Sequence, residues 1–350
     1  MGPLRLFLAL SVMFSHIGSI AWIPTVPAGF AVYSFFIMSG FYITLGLNER
    51  YKSANDNFEF YLGRALRLWP AYLFSILILI PAGMFEYTFN LIMQMPFFMK
   101  VVALFSNTFM LGSDLLLHMS AVDGHIKFSE YGIDPAHNGA STILNIPVWT
   151  LSIEIMFYLV APFIVRSLKR SVIYFSIGVV YLFLTKNFSS ALPFPVRTDL
   201  YFPGPSFYFG LGVMAYWLPK VLSKNLAVGV ASYAAILATI LACSILPLGL
   251  TLSFFALTVL CRPIFDKTRN SRLDQWFGDL SYPIYITHIP ITIIVRWLGW
   301  FEATPMSYFV SIIVGSIFVV HVIEKPIEKY RAIWRRKRLA AKHPSAIETA

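Results

Sequence analysis

Apolar stretches of spanning length recur along the whole chain, separated by short polar breaks rich in Lys, Arg, Pro and Gly. They cover residues 4–23, 28–47, 69–90, 147–165, 171–186, 204–219, 226–244, 248–262, 281–300 and 305–323. Runs of this length predict membrane-spanning helices, and ten of them put both chain ends on one side. Positive residues sharpen the topology. With a cytoplasmic N-terminus, 22 of the 27 Lys and Arg residues fall on the cytoplasmic side, eight of them in the tail from Lys325. That asymmetry follows the positive-inside rule and places both termini in the cytoplasm.

Residues 91–113 break the pattern, because Gln94, Pro96, Lys100, Ser106 and Asn107 interrupt an otherwise apolar run. Counting it as a full span would invert every later helix, so it is expected to be re-entrant or interfacial. Residues 114–146, with Asp114, Asp123, Glu130, Asp134 and three histidines, then form one large external loop. A signal-peptide reading of the first segment, suggested by Ser19-Ile-Ala21, is weakened by the histidine inside it and the span that follows at once.

Composition supports the same class. Hydrophobic residues make up 57% of the 350 and charged residues only 13%, which suits an all-α polytopic membrane bundle and no soluble domain. The net charge of +10 is mostly topological and implies no nucleic acid; Arg335 to Arg338 suit anionic lipid headgroups. Residues 1–330 read as one membrane domain and 331–350 as a basic cytoplasmic tail. Cys243 and Cys261 stand in separate helices, with no metal or redox spacing.

Polar groups inside such helices carry the information. Arg5 and His16 lie eleven residues apart in the first segment, hence on one stripe of a helix and about 16 Å apart along its axis. An ionisable side chain inside a bilayer is a functional-site hypothesis by default. The segment from 147 adds Trp149, Thr150, Ser152, Glu154 and Tyr158; the segment from 281 adds Tyr282, Tyr285 and His288. Each alone could simply knit helices together through a carbonyl or hydroxyl partner. A histidine can instead act as base to a hydroxyl or carry an acyl group. Arg64 and Arg67, at i and i+3, form a candidate phosphate clamp, with topology-setting arginines as the alternative. Phosphate-loop, dinucleotide, zinc-protease and hydrolase-elbow motifs are all absent.

Taken in order, these segments resemble the acyltransferase 3 family of membrane O-acyltransferases. The landmarks are Arg5 and His16, Phe35 to Phe41, Arg64 to Tyr72, Trp149 to Tyr158, Leu280 to His288, and Ile323 to Pro326. The resemblance implies acetyl-CoA or another acyl-CoA as donor, no metal, and transfer to a hydroxyl of a surface polysaccharide, oligosaccharide or lipid-linked sugar in a bacterial cytoplasmic (inner) membrane. It implies catalytic His16, with Glu154 and His288 beside it, and Arg5, Arg64 and Arg67 near the donor. Trp149, Ser152, Tyr158, Tyr282 and Tyr285 would line the substrate pocket. Tyr33, Ser34 and Ile155 depart from the family pattern, so no role can rest on carboxylates there. The chain ends about 25 residues after the last expected span, so no extracytoplasmic hydrolase-like domain is expected and a partner glycan-assembly protein could complete transfer. A transporter or flippase of a lipid-linked sugar, using the same histidines and Glu154 as a proton relay, is the rival reading.

Overall fold

The computed structural model describes residues 1–128, 138–188, 200–243, 247–299 and 302–342, with side chains through 334 except that of Cys243. The chain is predominantly helical. Among the described residues, four helical stretches are long and apolar enough to cross a membrane: Ala28–Glu49, Leu168–Asn187, Leu248–Thr268 and Pro305–Trp334. Shorter apolar helices accompany them, including Gly2–Ile17 and Val148–Ile164.

Helix α1 (Gly2–Ile17) begins with proline in its first turn and ends at Gly18, whose φ of 94° takes it out of helical space. The expected span 4–23 is therefore shorter, since the chain after Ile17 turns back and the Val26 amide donates to Ser11 Oγ at 3.2 Å. His16 consequently sits in the last turn of α1 rather than in mid-span. Helix α2 (Ala28–Glu49) follows directly. The expected span 69–90 is also corrected: α3 covers Asn57–Leu77, continuing through Pro70, and a turn over 78–83 separates it from α4 (Met84–Gln94). The polar residues of 57–67 hid its first half from the hydropathy pattern.

Helix α4 and helix α5 (Phe97–Phe109) meet at Met95-Pro96. With 11 and 13 residues they are about 16 and 20 Å long, and neither can cross a core of about 30 Å. Their outer faces carry exposed apolar side chains, with Phe97 82% exposed. A one-turn helix α6 (Ser113–Leu116) leads into a hairpin of β1 (Met119–Val122) and β2 (His125–Phe128). Asp123 and Gly124, with φ of 51° and 75°, make the turn. Among the described residues the hairpin holds the two named strands, which an all-α reading did not include. The presumed external loop also turns inward: Asp114 and His118 are buried. Burial pushes the Asp114 carboxyl above the usual range, against hydrogen bonds from Ser152 and the Phe202 amide. Glu130 and Asp134 lie outside the described residues.

Helices α7 (Val148–Ile164), α8 (Leu168–Asn187), α9 (Ser206–Lys224), α10 (Leu226–Cys243) and α11 (Leu248–Thr268) follow, then α12 (Arg272–Leu298) and α13 (Pro305–Phe318). A π-helical stretch, Val319–Glu324, joins α13 to α14 (Lys325–Lys342). Two seams organise the bundle. Helix α2 packs on α9 through glycines: a Cβ on Gly40 would stand 2.2 Å from the Phe209 carbonyl oxygen, and one on Gly212 would stand 1.9 Å from that of Ile37. Helix α1 packs on α12, where Ala9, Met13 and Phe14 bury against Leu280 and Ile284. At the Arg5 end of that seam a Cβ on Gly2 would overlap the Asp274 carbonyl oxygen at 1.7 Å. These contacts hold α1 rigidly on α12, and the candidate chemistry lies along that line.

Candidate active site

Six helices line a cavity of about 540 Å³, α11 through Phe265. Helix α1 contributes Arg5, α2 contributes Ser39 and Tyr42, and α3 contributes Arg64 and Arg67 one turn apart. Helix α7 adds Thr150, Glu154 and Tyr158, and α12 adds Tyr282 and Tyr285. Residues at i, i+4 and i+8 share a helix face, so α7 presents all three of its polar groups together.

The carboxylate and the guanidiniums do not neutralise one another directly. Glu154 Oε1 accepts from Ser39 Oγ and from the Tyr158 hydroxyl, each at 2.5 Å. Arg64 stands over the rings of Tyr158 and Phe60, at 5.8 and 5.9 Å, and its buried Nε has no hydrogen-bond partner. Among the described residues, no carboxylate lies within 4.0 Å of a nitrogen of Arg5, Arg64 or Arg67. Three half-buried guanidiniums without a counter-ion are unfavourable by themselves and suited to a polyanion, which they can grip by paired hydrogen bonds. An orphaned Arg64 Nε and this cationic lining fit the phosphates of a CoA thioester. Arg5, Arg64 and Arg67 would hold them.

Tyr282 and Tyr285 fix the far wall. The Tyr282 hydroxyl donates to the Leu68 carbonyl at 2.6 Å, tying α12 to α3. Tyr285 and Thr150 share a hydroxyl–hydroxyl bond of 2.6 Å, and Phe35 meets the Tyr285 ring edge-on at 6.1 Å. Helix α12 can bend here because Pro290 lacks an amide proton and leaves the Ile286 carbonyl without its helical donor. Asn145 Nδ2 supplies that bond at 2.8 Å and also donates to Ser75 Oγ.

One turn beyond Tyr285 lies His288, fully buried, and 5.2 Å from its ring centroid lies that of His16. His288 Nδ1 is 2.7 Å from the Tyr285 carbonyl oxygen. A carbonyl only accepts, so Nδ1 carries the proton, and Nε2 of the neutral ring is a bare acceptor. Nε2 has no partner. His16 is exposed, and neither histidine lines the cavity. The arrangement therefore runs from the arginine cavity through Tyr285 and His288 to His16 on the other side of the seam.

Of the residues expected in the pocket, Tyr158, Tyr282 and Tyr285 line the cavity; Trp149 and Ser152 do not. Ser152 is turned toward the hairpin side, donating to Asp114 Oδ1 at 2.6 Å and accepting from the Gly112 amide at 2.8 Å. Two residues along a helix rotate a side chain by about 200°, so Ser152 and Glu154 cannot share a face. Trp149 packs between two apolar clusters. Ser39 and Tyr42 were not anticipated as site residues, and Thr150, singled out among the polar groups of its segment, was not assigned to the pocket. Their signal was available: Ser39 and Tyr42 are i and i+3, and Thr150 is one turn before Glu154.

Known proteins place the chain. The acyltransferase domain model of the acyltransferase 3 family matches residues 4–325. The chain belongs to the acyltransferase 3 family. It is thus an acyltransferase, and the family does not favour the transporter reading. Nodulation protein 10 of Rhizobium leguminosarum bv. viciae is 26% identical over 329 residues, covering 85% of this chain and 83% of that protein. O-acetyltransferase OatA of Staphylococcus aureus strain NCTC 8325 / PS 47 is 24% identical over 375 residues, covering 93% of this chain. The chain spans about half of OatA, 56% of its length. No solved structure matches the chain significantly.

Proposed function

We propose that this acyltransferase takes an acyl group, acetyl foremost, from acyl-CoA in the arginine cavity and delivers it to a glycan hydroxyl at His16. In this reading about ten spans cross the cytoplasmic (inner) membrane of a bacterium, with both termini and the arginine cavity on the cytoplasmic side. Residues 1–330 are the catalytic membrane domain, and 331–350 rest against anionic headgroups. The supporting observation is the continuity from the arginine cavity through Tyr285 and His288 to His16, built on two helices locked together.

The chemistry follows from the residue types. Arg5, Arg64 and Arg67 bind phosphate and direct the thioester past Thr150 and Tyr285 toward His16. His16 removes the acceptor hydroxyl proton as the acceptor oxygen bonds to the acyl carbon and the carbon–sulfur bond breaks; the CoA thiolate leaves toward the arginines. His288 Nε2, unpartnered in this structure, is the acceptor that an N–H of His16 would take up to be oriented for catalysis, while Glu154 holds Ser39 and Tyr158 and balances the arginines. The acceptor in this reading is a surface polysaccharide, its oligosaccharide or its lipid-linked precursor; the OatA relative, named an O-acetyltransferase, supports transfer of acetyl to a hydroxyl. Radiolabelled acetyl-CoA with purified protein in detergent tests this: protein-dependent label transfer to an added glycan, with CoA release, is expected. CoA left intact with every acceptor would contradict it.

A further inference from the structure

At its Arg50 and Tyr51 edge the arginine cavity meets a second cavity of about 390 Å³, which shares those two residues and lies between α3 and α14. Both volumes fall in the range of about 300–1,000 Å³ usual for small-molecule sites. Gly63 lets the helices close: a Cβ there would stand 3.3 Å from an Arg331 guanidinium nitrogen and 3.5 Å from the Tyr51 hydroxyl. Arg331 is half-buried and, among the described residues, has no carboxylate within 4.0 Å. It faces the like charges of Arg64 and Arg50. Arg50 itself lies over the Tyr51 ring at 5.2 Å. The acidic groups lining this cavity are Glu59 and Glu328, and Glu328 is exposed, where water screens it. Trp334 completes the wall with a flat aromatic face.

Guanidiniums from three elements meeting at the junction of two cavities suit a ligand that carries phosphates at that junction. We propose that the second cavity binds the adenosine 3′,5′-bisphosphate end of the donor, its 3′-phosphate on Arg331 and its adenine on Trp334, with the pantetheine arm entering the first cavity past Tyr51. The assignment rests on the acyl-CoA reading above. It adds a selectivity: the protein distinguishes a 3′-phosphorylated donor from one lacking that phosphate.

The test uses the full chain in detergent. Calorimetry with adenosine 3′,5′-bisphosphate and with adenosine 5′-monophosphate should show at least about tenfold tighter binding of the bisphosphate, the scale of one charge-assisted contact. Acetyl-CoA should exceed acetyl-dephospho-CoA about tenfold in kcat/KM, through KM. Arg331→Ala should erase both ratios, Arg331→Lys should restore part of them, and Trp334→Ala should weaken both nucleotides alike. Equal binding of the two nucleotides by the wild type, or ratios that survive Arg331→Ala, would overturn the site. Equal turnover of the two donors overturns this site while leaving the acyl-CoA reading intact; selective nucleotide binding without any acyl transfer overturns that reading and leaves the site standing.

Discussion

The two ends of the α1–α12 seam are built in opposite ways. At the Arg5 end, six helices line a cavity in which, among the described residues, Arg5, Arg64 and Arg67 have no carboxylate within 4.0 Å, and Gly2 and Gly278 bring the backbones together. At the His16 end, α1 and α12 each present one imidazole, the first exposed and the second buried with a bare nitrogen. A cavity with several arginines on its wall suits a large, multiply charged donor that must be gripped at several points. An exposed imidazole suits an acceptor of varied shape that need offer only a hydroxyl. In the proposed mechanism this difference separates affinity from chemistry along one helix pair, so changes at one end should leave the other nearly untouched.

The largest effect is expected at the His16 end. His16→Ala should lower kcat for transfer by roughly 10²–10⁴, the usual worth of a positioned base, while the KM for acyl-CoA stays put. Steady-state kinetics on purified variants check this; a shift confined to donor KM would erase the contrast between the ends. Next come the arginines. Arg64→Ala and Arg67→Ala should each raise donor KM about tenfold and leave acceptor KM within about twofold, since a hydrogen bond to a charged group contributes about 1.5–3 kcal/mol. Equal changes in both KM values would remove the clamp.

How far the sequence could be read depends on which geometry it encodes. The Arg5–His16 stripe was legible because helical periodicity is fixed, and the Thr150, Glu154, Tyr158 face was equally open to it. The position of His16 in the last turn was not, because Gly18 ends the helix inside a run that remains apolar through Ile23. Ser152 was assigned to the wrong face for lack of a partner: nothing local shows that Asp114, 38 residues away, would fold inward to meet it. The start of α3 was hidden because Asn57, Glu59, Arg64 and Arg67 interrupt its apolar residues, although Phe60 and Gly63 are buried.

A smaller effect concerns the support of α12 between the two ends. Asn145→Ala should leave the Ile286 carbonyl unpaired and reduce stability by about 1–3 kcal/mol, measured by thermal unfolding in detergent. Transfer should fall with it only insofar as Tyr285 and His288 shift together. The smallest effect is at Asp114. Its carboxyl is held above the ordinary value near 3.9 chiefly by burial, so the native state binds the proton more readily than the unfolded chain. Stability contributed by the protonated form is full at the acid end and is lost as pH rises from about 4 toward the folded-state value. Asp114→Asn should flatten that acid-side slope in unfolding temperature without altering donor KM.

The separation of donor and acceptor across the membrane is the central claim, and oriented proteoliposomes test it most directly. With the arginine cavity facing the bath, labelled acetyl-CoA supplied outside and a soluble glycan acceptor trapped inside, label should accumulate on the enclosed glycan. Label appearing only on glycan that shares the bath with acetyl-CoA would contradict the account.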